Sequence, residues 1–177
     1  MKNSIRITLC GLTAALAATI TLAAYFPYIT YAAPAIAGLM MLIPIIEINC
    51  KWAWGCYAAS ILPVFLMAEP EAKIMYIFLF GWYPIAKAVI ERINRRWLEW
   101  IIKIIAFNAA VLFVYGVLAG IMNISVEEFG EFGKYSIYIF LAVGNAAFIF
   151  YDMAISQIAN IYMLRVHPHI KKFFKVK

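Results

Sequence analysis

Between Ile7 and Ile46 the chain runs forty residues without one charged side chain. A helix crossing the hydrocarbon core of a bilayer takes about 20 apolar residues, so this stretch predicts two crossings. They meet at the turn Tyr25-Phe26-Pro27-Tyr28-Ile29-Thr30-Tyr31, whose tyrosines suit the boundary between lipid and water. Downstream, the apolar pattern breaks at Glu47-Ile48-Asn49, at Glu69-Pro70-Glu71, from Glu91 to Arg96, and through an acidic loop at 123–134. The predicted spans are about 5–25, 32–48, 52–68, 72–91, 98–122 and 135–164.

Each span should be helical, because hydrocarbon offers the backbone no hydrogen-bond partner and a helix satisfies its own N–H and C=O groups. A membrane barrel would alternate apolar and polar residues in ~10-residue strands, and no such alternation is present. Spans two and three lie near the ~17-residue lower limit. Pro44 and Pro63 are expected to kink them. Span six is long enough to tilt or to project beyond the lipid.

Composition agrees with lipid as the solvent. Hydrophobic residues are 66% of the 177 positions and charged residues 14%, against roughly 45–50% and 25% in soluble domains. The net charge of +6 does not point to nucleic acid, because the lysines and arginines cluster at Arg92 to Lys103 and Arg165 to Lys177, beside apolar segments. With the N-terminus inside, twelve of the fifteen fall on the inner side, Lys73 and Lys134 fall outside, and Lys87 lies within span four. That bias is the positive-inside pattern, and it requires an even number of crossings. The expectation is an all-α membrane protein: a six-transmembrane-helix bundle with both termini cytoplasmic, residues 1–177 as one integral domain, multi-pass in a bacterial cytoplasmic membrane. The first span is longer than the apolar core of a cleaved signal peptide and is expected to be retained.

Candidate chemistry is sparse. Cys10, Cys50 and Cys56 have no CxxC spacing and read as small apolar packing residues, with no disulfide framework implied. His167 and His169 lie in the basic tail, and no metal site or cofactor is expected. No nucleophile constellation, phosphate loop or HExxH motif is present, so an enzyme is not expected.

Charged residues inside a span are costly and therefore informative. Lys87 and Asp152 lie at nearly the same depth in spans four and six, placed to form an ion pair, and Glu47 lies at a similar level to join or compete. Such a pair has three readings: a structural tie, the floor of a binding cavity, or a proton site. Asn145, Asp152, Ser156 and Asn160 share one face of span six. Span five offers Asn108 and Tyr115, and span four offers Tyr76, Tyr83 and Lys87. These stripes serve either interhelical hydrogen bonds or an aromatic pocket for a small molecule. For the second, Trp82, Tyr83, Asn108, Tyr115 and Asn145 are the lining, with Lys87 and Asp152 as floor or anchor. The basic stretch from Arg92 to Arg96 is a topology anchor that also suits anionic lipid.

Span one carries small residues four apart in overlapping frames: Gly11, Ala15 and Thr19; Ala14 and Ala18; Thr13, Ala17 and Thr21. Such spacing lets another helix approach closely, whether from the same bundle or from a second protein.

The size, six spans, inside termini and Ala-rich first helix, reading Thr13-Ala14-Ala15-Leu16-Ala17-Ala18, resemble the S components of energy-coupling factor (ECF) transporters. The resemblance covers most of the chain. It implies capture of a vitamin-like or metal-ion substrate from outside, with transport driven by a transmembrane coupling subunit and cytoplasmic ATPases. It also implies that an AxxxA pattern docks the first helix onto the coupling subunit, and Ala14 and Ala18 match it. No ligand residue carries over, so the substrate stays open. The competing readings are a membrane scaffold similar to the rod-shape-determining proteins and a stand-alone secondary carrier.

Overall fold

A computed structural model describes residues 3–26, 28–122 and 136–170. The side chains of residues 115, 117–122 and 136–140 lie outside it, as do the acidic loop at 123–134 and the tail at 171–177. All regular structure among the described residues is helical. The helices are α1 (Asn3–Leu22), α2 (Ala32–Leu39), α3 (Leu42–Glu47), α4 (Cys50–Met67), α5 (Pro70–Met75), α6 (Tyr83–Ile90), α7 (Arg96–Met122) and α8 (Ser136–Ile161). A π-helical turn, Tyr76–Phe80, joins α5 to α6, and another, Tyr162–Val166, extends α8.

Among the described residues five helical stretches are long and apolar enough to cross a membrane: Asn3–Tyr25, Cys50–Met67, Pro70–Ile93, Arg96–Val114 and Leu141–Ile170. The expected second span falls short of that length. Ala32–Glu47 is broken at Met40–Met41 into α2 and α3. The cause is Pro44, which has no N–H to return to the Met40 carbonyl. Pro63 interrupts nothing, and α4 runs through it to Met67. Asn49 starts α4 by accepting a hydrogen bond from the Trp52 N–H at 3.0 Å. Asn94, at φ 56°, makes the left-handed turn between spans four and five.

Side-chain contacts show which ends meet. Arg92 reaches Cys50, Lys103 reaches Glu91 and His167 reaches Glu47, all at the basic end of the bundle. At the opposite end Tyr25 donates to the Met67 carbonyl and Tyr31 to Glu71.

Helix α1 packs chiefly against α4 and α2, through Ala14, Ala17, Ala18 and Ala53. Methyl-sized side chains allow that approach, and Thr13 and Thr21 return their hydroxyls to the Leu9 and Ala17 carbonyls of α1 itself. Two expectations change here. Ala14 and Ala18, 6% and 9% exposed, are consumed inside the chain and leave no methyl open to a coupling subunit. The frame facing outward is Gly11, Ala15 and Thr19, with open space beside Gly11. The same close packing brings the Cys10 and Cys56 Cα atoms to 4.9 Å, and their sulfurs form a disulfide instead of acting as separate packing residues.

The π-helical turn between α5 and α6 is held by a side chain from α4 and by one from its own stretch. The Gly81 N–H bonds to the Tyr76 carbonyl, five residues back. The Ile77 carbonyl accepts the Tyr57 hydroxyl at 2.5 Å, and the Phe78 carbonyl accepts Trp82 Nε1 at 2.7 Å. Tyr76 itself is buried against α4, sharing a 2.7 Å hydrogen bond with Ser60.

Candidate functional site

Four charged side chains from α6 and the turn after it, α7 and α8 converge near the basic end. Lys87 of α6 donates to Asp152 Oδ1 at 2.5 Å and to the Asp152 carbonyl at 2.9 Å, and lies 3.1 Å from Glu91 Oε1. Lys103 of α7 donates to Glu91 Oε1 at 2.8 Å and lies 3.2 Å from Asp152 Oδ1. The Tyr83 hydroxyl donates to Asp152 Oδ1 at 2.6 Å. The Lys87, Lys103 and Asp152 side chains are 4–6% exposed, while Glu91 is 42% exposed and connects the group to the rim. Two ammoniums face two carboxylates, so the cluster is neutral. That neutrality is what lets charges persist among apolar helices.

Lys87 and Asp152 therefore meet, but not as an isolated pair. Lys103, which the sequence reading assigned to the inner rim, is buried with them. The signal was present: Lys87 and Lys103 lie eight residues either side of Arg95 in the turn joining their helices, hence at one level. Glu91 follows Lys87 by four positions, one helical turn. Glu47 neither joins nor competes. It pairs instead with His167 Nδ1 at 3.0 Å, tying α3 to the end of span six. Ser156 bonds the Asp152 carbonyl, and Asn160 is exposed.

The polar residues above the cluster are spent on one another. Asn108 of α7 and Asn145 of α8 exchange two amide hydrogen bonds at 3.0 and 2.9 Å. Trp82 turns toward the α4 side of span four, where it packs on the core containing Cys56 and Tyr57. Tyr115 lies in α7, with its side chain outside the described residues. Among the described residues, no three His, Cys, Asp or Glu side chains converge as metal ligands.

On the side of the cluster away from the basic end, the Pro70–Ile93 stretch, α7 and α8 line a half-open apolar cavity of about 230 Å³. Phe80, Phe107 and Phe148 form its aromatic walls, Leu79 and Val111 add aliphatic surface, and Gly144 leaves room. Tyr31, largely exposed, stands at its rim. No polar atom of the described residues faces the space. Phe148 stacks on Phe107 with centroids 4.3 Å apart and turns its edge to Tyr83 at 4.9 Å. One aromatic layer thus separates the cavity from the charges. None of Trp82, Tyr83, Lys87, Asn108, Asn145 or Asp152 lines it. Sequence reasoning passed over Phe107 and Phe148 because an apolar aromatic in a span reads equally as core or lipid-facing surface.

No protein family, no curated protein and no solved structure matches the chain.

Proposed function

We propose that this chain is a substrate-capture subunit of an energy-coupling factor type uptake transporter, a six-span protein of the bacterial cytoplasmic membrane with both termini inside. The observation that carries the reading is the aromatic-walled cavity between spans four, five and six, closed at its base by Phe148 and the four-charge cluster. With the basic end inside, as the charge bias requires, the cavity belongs to the outer half, where an uptake substrate arrives. Lys87, Lys103, Glu91 and Asp152 then form the inner seal and bind no substrate. The protein is no enzyme and takes no cofactor.

The exposed frame Gly11, Ala15 and Thr19 offers the coupling subunit a helix it can approach closely, and cytoplasmic ATPases act through that subunit. The same face supports a second reading, a scaffold similar to the rod-shape-determining proteins, which needs this surface and no ligand. One experiment separates the two. Purified protein is denatured, and the extract is searched by mass spectrometry for small molecules. A capture subunit releases about one molecule per chain, whereas release of none favours the scaffold. A reporter fused to the carboxyl end is active only in the cytoplasm if the layout holds.

A further inference from the structure

We infer that the cavity selects a neutral, apolar compound about the size of two fused rings. This rests on the capture reading and narrows it to a substrate class.

Volume sets the size. An engineered apolar cavity of about 150 Å³ takes benzene, and this one, about 230 Å³, is half as large again. The walls favour a ring, because Phe80, Phe107 and Phe148 offer both faces and edges to a flat π-system.

Polarity sets the class. The described polar side chains around the space have partners already. Asn108 and Asn145 bond each other. The Tyr83 hydroxyl is given to Asp152, the Tyr31 hydroxyl to Glu71 and the Tyr151 hydroxyl to the Ala35 carbonyl. A carboxylate, phosphate or sugar placed here would lose its water and find no replacement among the described residues. The charged cluster below cannot substitute, since its lysines face Asp152 and Glu91 and the Phe107–Phe148 layer stands between.

Gly144 supplies a clean test. Among the described residues a Cβ there would meet only the Phe107 ring, at 3.8 Å, and Gly144 lines the cavity, so a larger side chain is expected to grow into that space. The probe is 1-fluoronaphthalene, followed by fluorine NMR with the full-length protein in lipid nanodiscs and empty nanodiscs as reference. Saturable one-site binding is expected. It should weaken by roughly tenfold or more in Gly144→Leu and to a lesser extent in Gly144→Ala, while both variants keep the wild-type melting temperature or exceed it. The anion 1-naphthoate should compete roughly tenfold or more less well.

Binding that is indifferent to Gly144→Leu, or naphthoate that competes as well as the neutral ring, overturns the inference. So does a phospholipid retained at one per chain and lost in Gly144→Leu, which would make the occupant an acyl chain. Failure of the capture reading looks different: the purified chain releases no molecule even though the cavity takes fluoronaphthalene. Release of a charged molecule preserves capture and overturns the class.

Discussion

The carbonyl oxygen of Phe80 occupies the place where a side chain on residue 38 would begin. Pro84 has no N–H to give that carbonyl, and α2 presses Gly38 against it. A Cβ at residue 38 would overlap the Phe80 oxygen and lie 2.8 Å from the Tyr151 hydroxyl. The obstacle is backbone and cannot swing aside. Gly38→Ala should therefore cost about 1–3 kcal/mol, whereas Gly144→Ala, whose Cβ would make only ordinary contact with the Phe107 ring, should be neutral or gain about 0.5–1 kcal/mol. Thermal unfolding of both variants in one detergent checks this, and equal melting temperatures would refute it.

Asp152 faces two buried lysines, so removing its charge leaves an excess that Glu91 alone does not neutralise. Asp152→Asn should cost about 3–5 kcal/mol. Adding Lys87→Met should recover part of that loss, because Lys103 and Glu91 remain as a balanced pair. A double variant no more stable than the single one contradicts the four-charge arrangement.

Tyr57→Phe removes the hydroxyl that the Ile77 carbonyl accepts and changes little else in shape. Interhelical hydrogen bonds in membranes average about 0.6 kcal/mol, but a buried backbone carbonyl left bare costs about 1–3 kcal/mol. The expected loss is about 1 kcal/mol. It should be accompanied by faster amide exchange at Gly81 and Trp82, measured by hydrogen–deuterium exchange. Unchanged exchange there would remove Tyr57 from the account of the π-helical turn.

Tyr31 donates to Glu71 at 3.1 Å at the end away from the basic rim. That hydrogen bond, together with the Glu71 charge, raises the phenol above its ordinary value near 10. The folded state thus holds the proton more tightly than the unfolded chain. The stabilisation is complete below pH 10 and is lost as pH rises through the raised value. A stability profile above pH 9 should fall more steeply in the wild type than in Tyr31→Phe, and parallel profiles would dismiss the contact.

The long apolar segments were legible because a span is written as length and hydropathy together, whereas the second half of Ile7 to Ile46 forms helices too short to rank with the five long ones. Pro44 announced the break in the second segment. The inward frame of α1 was not legible. Gly11–Ala15–Thr19 and Ala14–Ala18 have the same spacing, and only the position of α4 decides between them. The π-helical turn at Tyr76–Phe80 is uniformly apolar, and composition does not encode a five-residue hydrogen bond. In the site, Lys87 and Asp152 stood out as unlike charges among apolar neighbours. Lys103 did not, because it reads as one of the rim charges that begin at Arg92, although its eight-residue distance from Arg95 matches that of Lys87. The cavity left no trace in the sequence, since its walls are the residues a span carries anywhere.

The broken helix from Ala32 to Glu47 has a consequence for the lipid around it. At 1.5 Å per residue it reaches only about 24 Å, while the hydrocarbon layer is about 30 Å thick. Spanning there requires the two leaflets to pinch together by roughly 6 Å. A crossing at this flank would draw the headgroups of a thinned bilayer toward Glu47 and His167, where a carboxylate sits beside an imidazole.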